Sequence, residues 1–338
     1  MRRLVSSAGT QVSAATRCFR SSPLSFGAAT EVLAQAIPAT SRDTVSLNLL
    51  SWTVDASCHS FYRAQRIAPL KDRLPTIVST IATSGADVVA LQDSGTSIAR
   101  AVDSTEYKLV EGASAQMRWG KVQLFLKKDA MWAAELQRHF GFITVKLQHL
   151  LHKHLSYTLV NADFSSLGEH EAVGMTREER KGQMVDYITQ TIKADIACGF
   201  FSLQLKQHIS EFEDASVTFA GSIDVPPTTM VWTPSKFKNS FSRKVAQSST
   251  GDGEVPLTLQ ENALQYFKDG VPGTGRVTVK RDQRVFFRKE SKLKVARCEV
   301  LKPLMEVTVD GNIVFVPASH SMPILTSLTV EDAAMLSS

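Results

Sequence analysis

Residues 86–93 read Ala86-Asp87-Val88-Val89-Ala90-Leu91-Gln92-Asp93, and the architecture of the chain is read outward from them. Residues 88–91 form an unbroken apolar run, with Gly85 before it and Ser94-Gly95 after Asp93. A run of this length between turn residues reads as a strand buried on both faces. Leu74, Ile77, Val78 and Ile81 precede it at helical spacing, so a helix over 74–84 packs beside that strand. An acid at the carboxyl end of a buried strand stands at the rim of a layered fold, held rigidly yet reachable. The competing reading of Asp93 is a solvated turn residue or a helix cap.

Further strands are expected on both sides of this one. Residues 45–54 (VSLNLLSWTV) are β-rich, and 107–111, 121–127, 142–148, 156–164 and 195–201 continue the series. Met184, Val185, Ile188 and Ile192 place a helix over 176–193. Residues 221–275 are rich in Pro, Ser and Gly and read as a loop-rich insertion. Strands then resume at 276–279, 284–287, 294–301, 306–309, 313–316 and 323–330. Two β-rich halves with a few helices between them give a layered α/β sandwich, one domain over 45–330.

Composition narrows the class. The chain has 338 residues, 43% hydrophobic and 21% charged, which is ordinary for a globular protein. No run of about 18 uncharged apolar residues occurs, so no membrane span is expected. Cys18, Cys58, Cys198 and Cys298 are scattered without CxxC pairing, which suits a reducing compartment and indicates neither a disulfide framework nor a zinc ribbon. Residues 1–30 carry Arg2, Arg3, Arg17 and Arg20, six serines and no acid. That is the composition of a mitochondrial transit peptide, and the expected location is the matrix; an ordinary disordered leader is the other reading.

In this order the segments resemble the endonuclease/exonuclease/phosphatase superfamily of metal-dependent phosphodiesterases. The stretch Arg284-Val285-Phe286-Phe287-Arg288-Lys289-Glu290-Ser291-Lys292-Leu293-Lys294-Val295 is similar to a strand pair of the carbon-catabolite-repressor-type deadenylases within it. The resemblance implies a four-layer α/β/β/α sandwich of two mixed β-sheets flanked by helices. It also implies magnesium, because phosphodiester hydrolysis at neutral pH needs a hard ion held by oxygen ligands to stabilise charge and activate water. At the matching positions the side chains depart from the family. Thr53 stands for a strand-end Asn and Asp93 for a Glu, while Asn161-Ala162-Asp163 puts an acid where a His belongs. Gly199-Phe200-Phe201-Ser202 stands for Gly-Asp-x-Asn, and Ser319-His320-Ser321-Met322-Pro323 for Ser-Asp-His-x-Pro, with neither the acid nor the His in register. A one-residue slip brings His320 to the histidine position. The resemblance therefore implies an inactive enzyme without catalytic residues, cofactor or metal. The alternative is a divergent magnesium-dependent nuclease acting on RNA, with Asp93 and Asp163 or Asp195 as relocated ligands.

Two other patterns bear on function. His149, His152 and His154 form H-x-x-H-x-H with no Cys or acid cluster beside them, which reads as a polar turn rather than a zinc site. Residues 276–297 carry nine cations, Arg276, Lys280, Arg281, Arg284, Arg288, Lys289, Lys292, Lys294 and Arg297, against Asp282 and Glu290. With Phe286 and Phe287 interleaved and a net charge of +5, the run suits RNA or a ribonucleoprotein partner, such as a mitoribosome or an RNA-processing complex. A solvated hairpin with core phenylalanines is the competing reading. The oligomeric state is not legible.

Overall fold

A computed structural model describes residues 45–54, 70–116, 121–139, 142–164, 177–201, 210–222, 225, 228–234, 275–309 and 312–330. They belong to one compact unit, Asp43–Ser338. The expected leader, Ser202 and most of the expected insertion lie outside the described residues.

Two mixed six-stranded sheets face each other, with helices on their outer sides. The first contains β1 (Ser46–Thr53), β2 (Val88–Ser94), β3 (Tyr107–Gln116), β4 (Lys121–Lys127), β13 (Leu293–Val300) and β16 (Ile324–Val330), in the order β13-β16-β1-β2-β4-β3. The second contains β5 (Trp132–His139), β6 (Phe142–His149), β7 (Ser156–Asp163), β8 (Ile196–Phe200), β9 (Phe212–Asp214) and β12 (Gln283–Arg288), in the order β5-β6-β7-β8-β12-β9. At the centre of each sheet lies a parallel pair, β1 with β2 and β7 with β8; the other pairings are antiparallel. Two ribbons flank them, β10 (Thr229–Pro234) with β11 (Gly275–Lys280) and β14 (Leu304–Val309) with β15 (Asn312–Pro317).

Strand alternation explains the layering. Leu47 and Leu49 of β1 and Val88 and Ala90 of β2 meet Tyr157, Leu159, Ile196, Cys198, Val285 and Phe287 of the second sheet in one inter-sheet core. The alternate residues Leu50, Trp52, Val89 and Leu91 face outward and pack on α1 (Leu70–Thr83) and α2 (Thr96–Asp103). Each central strand is thus buried on both faces, as expected of residues 88–91. Outside the second sheet, Val160, Ala162, Ala197 and Phe286 pack on α3 (Arg177–Asp186) and the π-helical turn Tyr187–Thr191 that continues it.

Several elements depart from the sequence expectation. The helix expected to 193 is α-helical only to Asp186, and Ile192 N–H then reaches back five residues to Tyr187 O at 3.0 Å. β5 alternates apolar and polar side chains at the sheet edge, and β9 is three residues long, so neither carries a strong apolar run. A six-residue helix, α4 (Ala215–Ala220), is set by its cap, where Asp214 accepts from Ser216 N–H at 3.0 Å, and by left-handed Gly221. β10 lies inside the stretch expected to be loop, because its partner β11 is supplied from about 45 residues later in the chain. Among the described residues no helix is long and apolar enough to cross a membrane.

Candidate functional site

The parallel pairs bring four strand ends to one rim. Thr53 lies opposite Gln92 across β1 and β2, and Asp163 lies opposite Phe200 across β7 and β8. Approaching this rim, the inter-sheet face changes from apolar to polar: Leu47 and Leu49 give way to Ser51 and Thr53, Ala90 to Gln92, and Leu159 to Asn161 and Asp163. On antiparallel β12 the same change runs from Phe287 and Val285 to Gln283. All of these polar side chains are buried.

Buried amides and hydroxyls must find partners, and here they find one another. Gln283 Oε1 accepts from Thr53 Oγ1 at 2.7 Å, Ser321 Oγ at 3.1 Å and Thr53 N–H at 3.2 Å. Its Nε2 donates to Ser51 Oγ at 2.7 Å and Gln92 Oε1 at 3.0 Å. Gln92 Nε2 donates to Asn161 Oδ1 at 2.6 Å and to Ala90 O at 3.0 Å. Asn161 Nδ2 crosses back to Gln123 O at 2.9 Å and Leu91 O at 3.2 Å. The chain of bonds therefore passes between the sheets repeatedly with uncharged groups only.

The loop after β15 is sewn to the same rim. Ser319 Oγ donates to Thr53 O at 2.6 Å, and Trp52 Nε1 donates to Ser321 O at 2.8 Å. Fully buried Arg73 of α1 donates to Ala318 O at 2.9 Å and Val54 O at 3.2 Å. This seats His320 with its ring 6.0 Å from that of Phe200. Asp282 stands beside them; burial pushes its carboxyl up, opposed by Lys280, Arg284, Lys181 and His320 around it. Gly199, next to Phe200, has φ +136°, and a Cβ there would sit 1.9 Å from Ala162 O. Only glycine permits β8 to approach β7 this closely.

The structure therefore gathers Thr53, Phe200 and His320 at this end of the sandwich, with Asp93 and Asp163 at the ends of their strands. Asp93 is 3% exposed and left-handed at φ +43°, where the pairing of β2 with β4 slips between Leu91 and Ser94. It is not a solvated turn residue, and the N-cap of α2 is Gly95. Asp163 is buried at the end of β7. Asp195 lies at the opposite end of β8, where its carboxylate accepts from Thr158 N–H at 2.7 Å and burial raises its pKa. It belongs to the strand junction rather than to the rim. Among the described residues no three His, Cys, Asp or Glu side chains gather so as to hold a metal ion. Sequence reasoning reaches Asn161 and Ser321 only as members of the quoted motifs and does not point to Gln92, Gln283 or Ser51. The available signal was polar side chains at inward positions of otherwise apolar strands.

The basic run divides in two. Arg281 and Arg284 both reach Asp214, at 2.9 and 3.7 Å, and burial lowers the Arg281 pKa. Arg288 binds Glu211 at 2.5 Å, Thr189 O at 2.7 Å and Ala194 O at 2.9 Å, and lies 5.1 Å from the Phe212 ring centre. These three arginines are half-buried structural ties, and Phe286 and Phe287 between them are core. Arg284, Phe286 and Arg288 alternate onto one face of β12, and there Phe286 packs with Val185 of α3 and Phe212, so the strand does not present its cations on an open face. Lys289, Lys292, Lys294 and Arg297 are exposed, with Arg297 paired to Glu299. Lys280 is half-buried, and the Arg276 side chain is outside what is described.

Structures with the same arrangement of sheets settle its type. An endonuclease/exonuclease/phosphatase family protein from Bacteroides thetaiotaomicron superposes with a TM-score of 0.53 at 10% identity, over 86% of this chain and 99% of that one. The fold is that of the endonuclease/exonuclease/phosphatase proteins. The mannosyl-6-phosphatase of the same organism gives a TM-score of 0.52 at 11% identity, covering 83% of this chain and 99% of its own. D. rerio TDP2, in complex with a single-strand DNA product, gives 0.51 at 14% identity, covering 84% and 98%. No protein-family model matches the chain, and no curated protein sequence matches it significantly.

Proposed function

We propose that this chain is a catalytically inactive protein of the endonuclease/exonuclease/phosphatase fold, serving as a structural or RNA-contacting subunit of a mitochondrial ribonucleoprotein such as a mitoribosome or an RNA-processing complex. The observation that carries the reading is the closed amide–hydroxyl network at the rim. A magnesium ion requires oxygen ligands free to turn toward it, usually including carboxylates. Here the side-chain oxygens of Gln92 and Gln283 are already accepting hydrogen bonds, and the network around them is neutral. The residues present do not fit the ion. In the register of the family resemblance, Phe200 also places a buried ring where a water-activating carboxylate belongs. Losing one acid–base or electrostatic group costs a reaction about two orders of magnitude or more. Several are changed together. The exposed cations Lys289, Lys292, Lys294 and Arg297 supply the RNA-contacting surface of this reading, and the Arg- and Ser-rich leader supplies the mitochondrial address.

Calorimetric titration with magnesium or manganese is expected to show no site near micromolar affinity, and poly(A) is expected to remain intact. Hydrolysis that disappears in Asp93→Ala would establish the divergent nuclease instead. Affinity purification from mitochondria, with and without ribonuclease, tests the assembly: loss of partners on ribonuclease treatment supports RNA contact, and absence of any ribonucleoprotein partner refutes it.

A further inference from the structure

The end of the sandwich opposite the rim carries a feature that the reading above does not use. β6 runs down to His149 and β7 starts upward from Ser156, so the turn between them projects from that end. Six large apolar side chains are exposed among the described residues, and three of them meet here: Leu151 at 73%, Leu150 at 50% and Met131 at 42%. Leu150 N–H donates to Met131 O at 2.8 Å, which sets the three side by side. The turn is firmly built. His149 N–H donates to Leu155 O at 3.0 Å, Leu155 N–H to His152 O at 2.8 Å, His152 N–H to His149 Nδ1 at 3.0 Å, and Gln148 Nε2 to Lys153 O at 2.8 Å. The leucines are held in water by the backbone around them.

Charge indicates what covers them. The turn, residues 149–155, contains Lys153 and three histidines and no acid. Asp129 of the neighbouring turn and Glu106 share Lys127, at 3.5 and 3.7 Å, and Glu135 lies opposite Lys146. β12 also ends on this side, since Phe287 pairs with Ile196 at the start of β8, and exposed Lys289, Glu290 and Lys292 follow it. A projecting apolar tip whose own turn carries a lysine and no acid suits a layer that is apolar beneath an anionic surface. We propose that the 149–155 turn is a membrane-docking tip: Leu150 and Leu151 enter the interfacial region of an anionic bilayer while Lys153 meets its phosphates. The protein then lies on the membrane without crossing it.

Flotation of the full chain with phosphatidylcholine vesicles, with and without phosphatidylglycerol, tests this. The wild type is expected to float with the anionic vesicles. The Leu150→Ser/Leu151→Ser variant, checked for native circular dichroism, is expected to partition at least tenfold more weakly, by roughly the transfer free energy of the two side chains. Lys153→Glu is expected to weaken binding to the anionic vesicles alone. RNA retention by the leucine variant is expected to be unchanged, so failure here and failure of the RNA reading are separable. The proposal falls if the wild type floats with neither vesicle or if the double variant floats as well as the wild type. It also falls if the leucines prove to hold two copies together, seen as a dimer that the variant dissolves without any vesicle binding.

Discussion

Replacing Gln283 by methionine removes the hub of the rim network while nearly conserving side-chain volume. Gln283 is 1% exposed, and its amide makes five hydrogen bonds, to Thr53 N, Thr53 Oγ1, Ser321 Oγ, Ser51 Oγ and Gln92 Oε1. Some of these groups have a fallback: Thr53 Oγ1 can turn fully to Gln92 Oε1 at 3.1 Å, and Ser321 Oγ to Thr228 O at 3.3 Å. Thr53 N–H loses its partner outright, while the Gln92 carbonyl oxygen and Ser51 Oγ each lose one of two bonds. At about 1–3 kcal/mol for the unsatisfied donor and about 0.5–1.5 kcal/mol for each of the two lost bonds, the substitution should cost about 3–4 kcal/mol. For a domain of this size that corresponds to a fall in melting temperature of roughly 6–15 °C. Urea denaturation, run beside Gln92→Met and the double variant, measures both the loss and the coupling. If the two glutamines form one network, the double variant should lose less than the sum by about 1 kcal/mol or more. A single-variant loss below about 1 kcal/mol, or strict additivity, would refute the claim that the amides interlock the sheets.

Other outcomes follow from the same geometry. Gly199→Ala should give insoluble or grossly destabilised protein, read from soluble yield and melting, because its Cβ would meet Ala162 O at 1.9 Å with φ at +136°. Arg288→Ala should cost about 2 kcal/mol through its ties to Glu211, Thr189 and Ala194, a figure kept low because Glu211 is solvated, whereas Lys292→Glu should stay within about 0.5 kcal/mol; urea midpoints compare them. Burial, aided by His152, holds the His149 pKa below its ordinary value of 6.5. The unfolded chain therefore takes up this proton first, so stability is full above about pH 6.5 and declines as pH falls through the folded-state pKa. Midpoints measured from about pH 7.5 down to 5 should show that decline, and His149→Gln should flatten this part of it.

Local pattern determined much of this protein. The double-sided burial of Val88–Leu91, the alternation of residues 121–127 and the helical spacing of Leu74, Ile77 and Ile81 are properties of short segments, and β2, β4 and α1 appear where those segments lie. The order of the elements was enough to imply two packed sheets, because a buried strand needs a covering layer on each face. Partners distant in the chain decided the rest. β10 is a strand because β11 pairs with it, and Arg281, Arg284 and Arg288 became internal ties because Asp214 and Glu211 arrive from about 70 residues away. Gln92 and Gln283 look unremarkable in sequence, and Thr53, Asn161 and Ser321 stand out there only as motif positions, since a polar side chain at an inward strand position has no visible partner. Only the closing of one sheet over the other shows that the five satisfy one another, because hydrogen-bond complementarity between strands far apart in the chain is a property of the assembled rim.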